Sequence, residues 1–210
     1  MNLGVLPVII PLFATGLALL AITSLTAQRL IALAGNSAAL ASAVALLVTV
    51  EGDGIQAHTI GSWPAGVGIT LVADLAASMF LVISMAVVAL VHVYAIGQES
   101  DVCQPAVFHP VYLVLAGGLA MACLTGDLFY LFVAFEVMLI ASYVLITLGG
   151  GGERLRAGLP YVVINMLAST MVLAAVGLIY GATGTVSMAD LVDKFEGLPE
   201  GTRIALGALL

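Results

Sequence analysis

One glutamate lies near the middle of a long apolar stretch, and its position suits it to proton chemistry. Glu136 stands about eight residues into the run 128–149, which is ~12 Å along a helix inside a hydrocarbon core of ~30 Å. Ionisable side chains at that depth are costly and are usually functional. A carboxyl that gains and loses a proton can transfer protons. The alternative is a neutral carboxylic acid, favoured by low dielectric, that only locks two helices together.

Further polar side chains predict a path that continues from Glu136. Tyr143 and Thr147 follow it on the same stripe of the predicted helix. Tyr143 is ~10 Å further along, so a link to Glu136 requires water. Asn165 and Ser169 lie in the next apolar run, four residues apart on a shared helix face. These two either hydrogen-bond across helices or line a hydrated path.

The other ionisable residues of the apolar runs lie near their ends. Asp127 directly precedes the run 128–149 and is predicted to cap the start of that helix. Asp74, near the start of the run 71–96, is predicted to cap that helix or to reach the interface. His92 lies near the other end of that run and is predicted to be satisfied by local hydrogen bonds rather than to be catalytic.

The composition requires a membrane protein. Hydrophobic residues make up 62% of the 210 residues and charged residues 8%, whereas a soluble domain carries ~25% charged residues. The net charge of −7 excludes a basic nucleic-acid surface. Cys103 and Cys123 lack metal-ligand spacing and are predicted to be inert thiols. With no phosphate-binding glycine loop and no nucleophile–base pair, the sequence predicts no metal and no cofactor.

Six apolar runs predict an all-α polytopic membrane fold, with six complete transmembrane helices and the start of a seventh. They cover residues 3–24, 30–50, 71–96, 107–125, 128–149 and 158–180. Small residues in the run 107–125 let helices approach closely, so this helix is expected inside the bundle. Alternation in Ile55–Ile60 and Val67–Leu71 predicts a short β-hairpin after the second helix.

The C-terminal segment has a different character. Apolar residues at helical spacing alternate with charged ones over 185–198, which predicts an amphipathic helix at the membrane surface. The run Ile204–Leu210 spans only ~10 Å as a helix, too little to cross. We therefore expect residues 1–210 to form a single transmembrane domain belonging to a longer subunit. A short peripheral tail is the alternative.

Basic residues predict the orientation. Arg29, Arg154 and Arg156 fall between apolar runs on one side of the membrane, and only Lys194 and Arg203 fall on the other. Because cytoplasmic loops carry the excess of basic residues, the N-terminus is expected outside. A multi-pass protein of the cell membrane follows from this pattern.

The stretch Gly126–Gly149, GDLFYLFVAFEVMLIASYVLITLG, resembles the D-type subunits of the multisubunit Mrp-type cation/proton antiporters. These belong to a family of antiporter-like subunits shared with respiratory complex I. Supporting similarity lies in Gly61–Asp74, Tyr161–Thr170 and Gly177–Leu191. Tyr130 departs from the pattern, because the family usually has asparagine there, and this affects the polar contacts expected near Asp127.

The resemblance implies a prokaryotic secondary transporter, not an enzyme, that exchanges Na+ or another monovalent cation for protons. Its implied partners are the lipid bilayer and the other subunits of a hetero-oligomeric complex. In the family, the glutamate matching Glu136 pairs with a lysine on the seventh helix. Here the sole lysine, Lys194, lies outside the apolar runs. The resemblance therefore implies a partner lysine beyond Leu210.

Two other functions remain open at the level of sequence. One is a proton-pumping membrane subunit of a complex I-like NADH:quinone oxidoreductase, which would make the chain part of an enzyme driven by electron transfer. The other is a scaffold that helps a complex assemble without transporting ions. In the scaffold, substitutions at Glu136 would alter assembly and leave transport per assembled complex unchanged.

Overall fold

The computed structural model describes residues 3–60, 68–98, 106–149 and 151–208, which form a bundle of long helices. A 3-10 turn, Leu3–Val5, leads into the first helix. The helices are α1 (Leu6–Leu20), α2 (Leu25–Asp53), α3 (Leu75–Gly97), α4 (Phe108–Leu124), α5 (Leu128–Thr147), α6 (Gly152–Thr183), α7 (Met188–Glu196) and α8 (Glu200–Gly207). Two short strands, β1 (Gln56–Thr59) and β2 (Thr70–Ala73), lie between α2 and α3.

The predicted all-α membrane fold is confirmed. Among the described residues, α1 with its preceding turn, α2, α3, α5 and α6 are long and apolar enough to cross a bilayer. The 17 residues of α4 are apolar as well, and their length of ~25 Å is at the short end of the spanning range.

Close helix packing depends on small residues, as expected for α4. A Cβ atom added to Gly117 would lie 2.7 Å from Leu12 Cδ2 of α1. On the neighbouring position, a Cβ atom at Gly118 would lie 2.8 Å from Met138 Cγ of α5 and 3.2 Å from the Met138 backbone nitrogen. The α4 helix is therefore held between α1 and α5, with Leu113 and Ala116 fully buried.

Two helices extend beyond their apolar runs. The α2 helix begins at Leu25, because the Ser24 hydroxyl accepts a hydrogen bond from the Ala27 amide and caps it. Arg29 consequently lies in an early turn of α2, not in a loop. Similarly, α6 begins at Gly152 and includes Arg154 and Arg156. The predicted boundaries were wrong here because they followed the apolar runs alone, whereas the basic residues next to those runs continue the helices.

The predicted β-hairpin is confirmed. Strands β1 and β2 pair antiparallel, from Gln56 opposite Ala73 to Thr59 opposite Thr70. The hairpin continues into the α4–α5 turn, where the Gly126 amide donates to the Thr70 carbonyl at 2.9 Å. The segment between α6 and α7 also binds here, because the Leu128 amide at the start of α5 donates to the Val186 carbonyl at 2.9 Å. Three segments that are distant in sequence are thereby joined at the start of α5.

A helix is present in the predicted amphipathic segment. In α7, Leu191 is buried and packs with Ile179 of α6, whereas Asp193 and Lys194 are exposed. Its location at a membrane surface stays a prediction. Cys103 lies outside the described residues.

Candidate proton-transfer site

Both ends of α5 are fixed, and this sets the depth of Glu136. At its start, Asp127 Oδ1 accepts a hydrogen bond from the Tyr130 amide at 2.8 Å, which satisfies a free backbone donor. Beyond its other end, the Arg154 guanidinium donates to the Leu148 carbonyl at 2.8 Å. Glu136 lies roughly midway between the two ends, as the sequence predicted.

Packing against α4 fixes the rotation of α5. Ala134 and Ala141 are buried, and Met138 contacts the surface left open by Gly118. Two residues along a helix correspond to a rotation of ~200°, so Glu136 faces away from Ala134 and Met138. Its side chain therefore lies on the side of α5 that meets α6.

The structure brings Ser169 to Glu136. The Ser169 hydroxyl on α6 donates a hydrogen bond to Glu136 Oε1, and the contact is partly buried. Because a carboxyl oxygen accepts such a bond in the ionised and in the protonated form, the contact is compatible with either state. A group that keeps its position while its charge changes is suited to proton transfer.

The other predicted path residues do not contact Glu136 directly. Asn165 Nδ2 donates to the Tyr161 carbonyl of its own helix at 2.9 Å. Thr147 likewise donates to the Tyr143 carbonyl at 2.8 Å. The Tyr143 ring packs edge-on against Tyr161, with 5.6 Å between ring centroids, and lies near enough to Glu136 to interact electrostatically. A path through these residues stays a prediction that requires water between them.

One side of the Glu136 site is not covered by the described chain. Ile140 on α5 and Leu167 and Met171 on α6 are more than half exposed. This face is apolar, so it meets lipid or another apolar helix rather than water. The sole lysine of the sequence, Lys194, lies in α7 and is exposed.

The remaining predicted acidic residue caps a helix away from Glu136. Asp74 Oδ1 accepts a hydrogen bond from the Ala77 amide at 2.7 Å, at the start of α3. Asp74 therefore satisfies a backbone donor that the first turn of the helix leaves free. The Asp127 and Asp74 carboxylates thus occupy equivalent positions on two different helices.

His92 lies toward the end of α3, as the sequence predicted, but it is not alone. It is fully buried, with His109 of α4 and Asn36 of α2 as hydrogen-bond partners. Sequence reasoning missed both partners. The sequence did contain a signal, because Asn36, His92 and His109 are polar residues within apolar runs. His92 and His109 lie near the ends of two consecutive helices that are joined by a loop, and an antiparallel pair of helices brings such ends together.

Known proteins are similar to this chain in sequence. Residues 125–210 match the family described as NADH:quinone oxidoreductase/Mrp antiporter, transmembrane. The D-type subunit of the Na(+)/H(+) antiporter of Alkalihalophilus pseudofirmus is 42% identical over 199 residues, which cover 95% of this chain and 40% of that protein. The corresponding D-type subunit of a probable K(+)/H(+) antiporter of Rhizobium meliloti is 40% identical over 155 residues, covering 74% of this chain and 28% of that protein.

A solved structure has the same fold. A chain in the structure of the Mrp complex from Dietzia sp. aligns with all of this chain at a TM-score of 0.86 and 28% identity. The alignment covers 40% of that chain. The present chain therefore spans about two-fifths of the length of the first of these curated relatives and of this structural neighbour.

Proposed function

Because this chain belongs to the antiporter-like membrane subunits shared by Mrp antiporters and NADH:quinone oxidoreductases, we propose that it acts in the D-type subunit of a monovalent cation/proton antiporter. Glu136 is the proton-transferring group in this proposal. The observation that carries it is the Glu136 carboxyl, held at mid-depth of α5 and hydrogen-bonded to Ser169 of α6.

Glu136 acts by pairing with a basic partner and thereby changing the proton affinity of that partner. The ionised carboxylate attracts a cationic side chain, and the family resemblance supplies a lysine from outside these residues as that partner. When the pair is closed, the lysine keeps its proton. When the pair opens, the lysine is left charged in a low dielectric, which favours release of its proton. The Ser169 hydroxyl keeps the carboxyl in place through the cycle.

The exchanged cation is Na+ or another monovalent cation in this proposal. The two curated relatives named above carry Na(+)/H(+) and K(+)/H(+) in their names. Similarity to them therefore supports a monovalent cation as the exchanged ion, but does not distinguish Na+ from K+. The proposed setting is a multi-pass subunit of a hetero-oligomeric complex in the plasma membrane, with the N-terminus outside. Tyr143, Thr147 and Asn165 extend the proton path through water.

Everted vesicles that contain the complete complex test the role of Glu136. A pH-sensitive dye reports proton movement when Na+ or K+ is added. Glu136→Gln keeps the size of the side chain and removes its charge, so cation-dependent proton movement should be lost. Glu153→Gln, at an exposed position in the first turn of α6, is the matched control and should leave it unchanged.

The same experiment separates transport from assembly. Protein amounts are equalised by immunoblot, and association of the subunits is checked by co-purification. Wild-type proton movement in Glu136→Gln at equal amounts would refute the proposed role. Loss of the assembled complex, with normal transport by the remaining complexes, would indicate the scaffold instead.

A second candidate is a proton-pumping subunit of a redox complex, because the matching family includes NADH:quinone oxidoreductases. Glu136 would have the same role, but electron transfer to quinone would drive the protons. Co-purification with iron–sulfur or flavin subunits, and proton movement that requires NADH and quinone, would identify this function.

A further inference from the structure

A second buried polar chain lies among α2, α3 and α4, separate from Glu136. Asn36 Nδ2 of α2 donates to His92 Nδ1 of α3 at 2.7 Å. His92 Nε2 lies 2.9 Å from His109 Nδ1 of α4. Asn36 is 1% exposed and both histidines are 0% exposed. This Asn36–His92–His109 chain is therefore enclosed in the bundle.

The hydrogen bonds assign a direction to this chain. Because His92 Nδ1 accepts from Asn36, the proton of a neutral His92 is on Nε2. That N–H donates to His109 Nδ1, so the proton of a neutral His109 is on its Nε2. His109 Nε2 is buried and has no hydrogen-bond partner among the described residues, and the same is true of Asn36 Oδ1. The chain thus has an unsatisfied donor at one end and an unsatisfied acceptor at the other.

Water is the ligand that fits these unsatisfied atoms. Leaving a buried polar group without a partner costs ~1–3 kcal/mol, and buried waters typically bind where such groups are found. More unpartnered atoms occur on the same helix, at Gln28 Oε1 and Arg29 Nε. Gln28 Nε2 already donates to the Ala18 and Ala106 carbonyls at 3.1 and 2.7 Å. This end of the bundle therefore has polar atoms that water can bridge.

The charged and titratable surroundings of the pair are few. From α2, Arg29 acts electrostatically on His109, and the α2 carboxylates, Glu51 and Asp53, lie at the far end of that helix. From α4, the Tyr112 ring packs on His92 with 4.8 Å between centroids. Helix α1 has no titratable side chain. From α3, Tyr94 is exposed and Asp74 caps the end of the helix opposite His92. A positive charge on the pair thus has no nearby carboxylate partner on α1–α4, so both rings are expected to stay neutral while protons pass between them.

We propose that His92 and His109 form a proton relay in the α1–α4 bundle, which exchanges protons with water at His109 Nε2. In one step, water accepts the Nε2 proton of His109, and the Nε2 proton of His92 moves to His109 Nδ1. For this step the Asn36 amide moves away from His92 Nδ1, so that a second water can supply a proton to that nitrogen. One proton enters and one leaves, and both rings end neutral in the other tautomer.

Asn36 stabilises both states of the relay. Its amide has a donor and an acceptor, so a turn of the amide lets Oδ1 accept from the new His92 Nδ1–H. The currently unpartnered Oδ1 atom is the group that this second state uses. A leucine in place of Asn36 could hydrogen-bond to neither tautomer of His92. Asn36→Leu should therefore impair a relay, whereas a role of Asn36 in packing alone would not require the amide.

Nitrogen-15 NMR tests the relay without a transport assay. The chain contains three histidines, so histidine labelling of this protein, reconstituted with its unlabelled partners, gives few signals, and His58→Gln identifies the third. We expect a scalar coupling between His92 Nε2 and His109 Nδ1, and exchange of the His109 Nε2 proton with water on the timescale of seconds or faster. A His109 Nε2 proton protected as long as the amides in the middle of α4 would overturn the proposal.

Transport provides the second measurement, and it rests on the proposed function. In vesicles, His92→Gln and His109→Gln remove proton transfer and keep a polar side chain, so proton movement should fall by at least about tenfold. His58→Gln, on the hairpin, should leave it unchanged. Wild-type rates in both variants at normal assembly would overturn the relay; if the variants do not assemble, the NMR exchange decides. Loss of transport in Glu136→Gln with unchanged His109 exchange would separate the two sites.

Discussion

The Ser169 hydroxyl of α6 donates a hydrogen bond to the Glu136 carboxyl of α5, and this contact links the two helices at mid-depth. Nearby residues on the two helices, such as Ile140 of α5 and Leu167 of α6, are apolar and exposed. The contact is therefore a polar link between two largely apolar helix faces. A hydroxyl in this position orients the carboxyl without neutralising it. We therefore treat Ser169 as a positioning residue for Glu136.

Replacing Ser169 tests that role. Ser169→Ala removes the donor and leaves Glu136 free to turn, so cation-dependent proton movement should fall by a few-fold, with assembly unchanged. Ser169→Thr keeps the hydroxyl and should restore it. The measurement is the initial rate of dye response in vesicles, taken across a range of pH, because a positioning residue that contacts the carboxyl should also shift the pH at which the rate is half-maximal.

A matched control uses the neighbouring hydroxyl of Thr170. It donates to the Met166 carbonyl of its own helix at 2.8 Å, so Thr170→Ala should leave rate and pH profile unchanged. Equal effects of Ser169→Ala and Thr170→Ala would show that any loss of a hydroxyl on α6 is damaging, and would remove the special role of Ser169.

Much of the Glu136 site could be predicted from the sequence because it depends on short-range helical geometry. The depth of Glu136 follows from its place in an apolar run, and the shared face of Asn165 and Ser169 follows from a spacing of four. Which of the two meets Glu136 could not be predicted, because it depends on the relative rotation and height of α5 and α6. Packing sets these, and the structure selects Ser169.

The sequence offered only a weak signal for the histidine pair, and its contact could not be predicted for the same reason. His92 and His109 are separated by a loop, and nothing in one helix indicates the rotation of the other. The Tyr112 hydroxyl helps fix this rotation by donating to the Val88 carbonyl of α3 at 2.9 Å. His92 considered by itself therefore indicated a local role, and the network became visible only when the structure placed the polar residues of three adjacent helices together.

Gly118 provides a test of the packing that rotates Glu136 toward α6. Gly118→Leu would place side-chain atoms where Met138 of α5 now lies, and a Cβ atom alone would be 3.2 Å from the Met138 backbone nitrogen. Overpacking of this kind costs ~1–3 kcal/mol. We expect a lower thermal unfolding temperature of the purified complex, together with reduced transport.

The control for Gly118 is another glycine within a transmembrane helix. Gly177 of α6 has nothing within 4 Å of an added Cβ atom, so Gly177→Ala should keep stability or raise it slightly, as expected for glycine-to-alanine changes in a helix. A Gly118→Leu protein as stable as wild type would mean that α4 and α5 are less closely packed than described.

Asp127 distinguishes a helix cap from a second acidic group on the ion path. Its Oδ1 atom accepts the Tyr130 amide at 2.8 Å, and asparagine caps a helix about as well as aspartate, whereas alanine costs ~0.5–2 kcal/mol. We therefore expect Asp127→Asn to keep both stability and transport, and Asp127→Ala to lower the unfolding temperature. Asp74→Asn, at the equivalent position of α3, is the matched control. If Asp127→Asn abolished proton movement in stable, assembled complexes while Asp74→Asn did not, the negative charge of Asp127 would be required for ion transfer and the capping role would be insufficient.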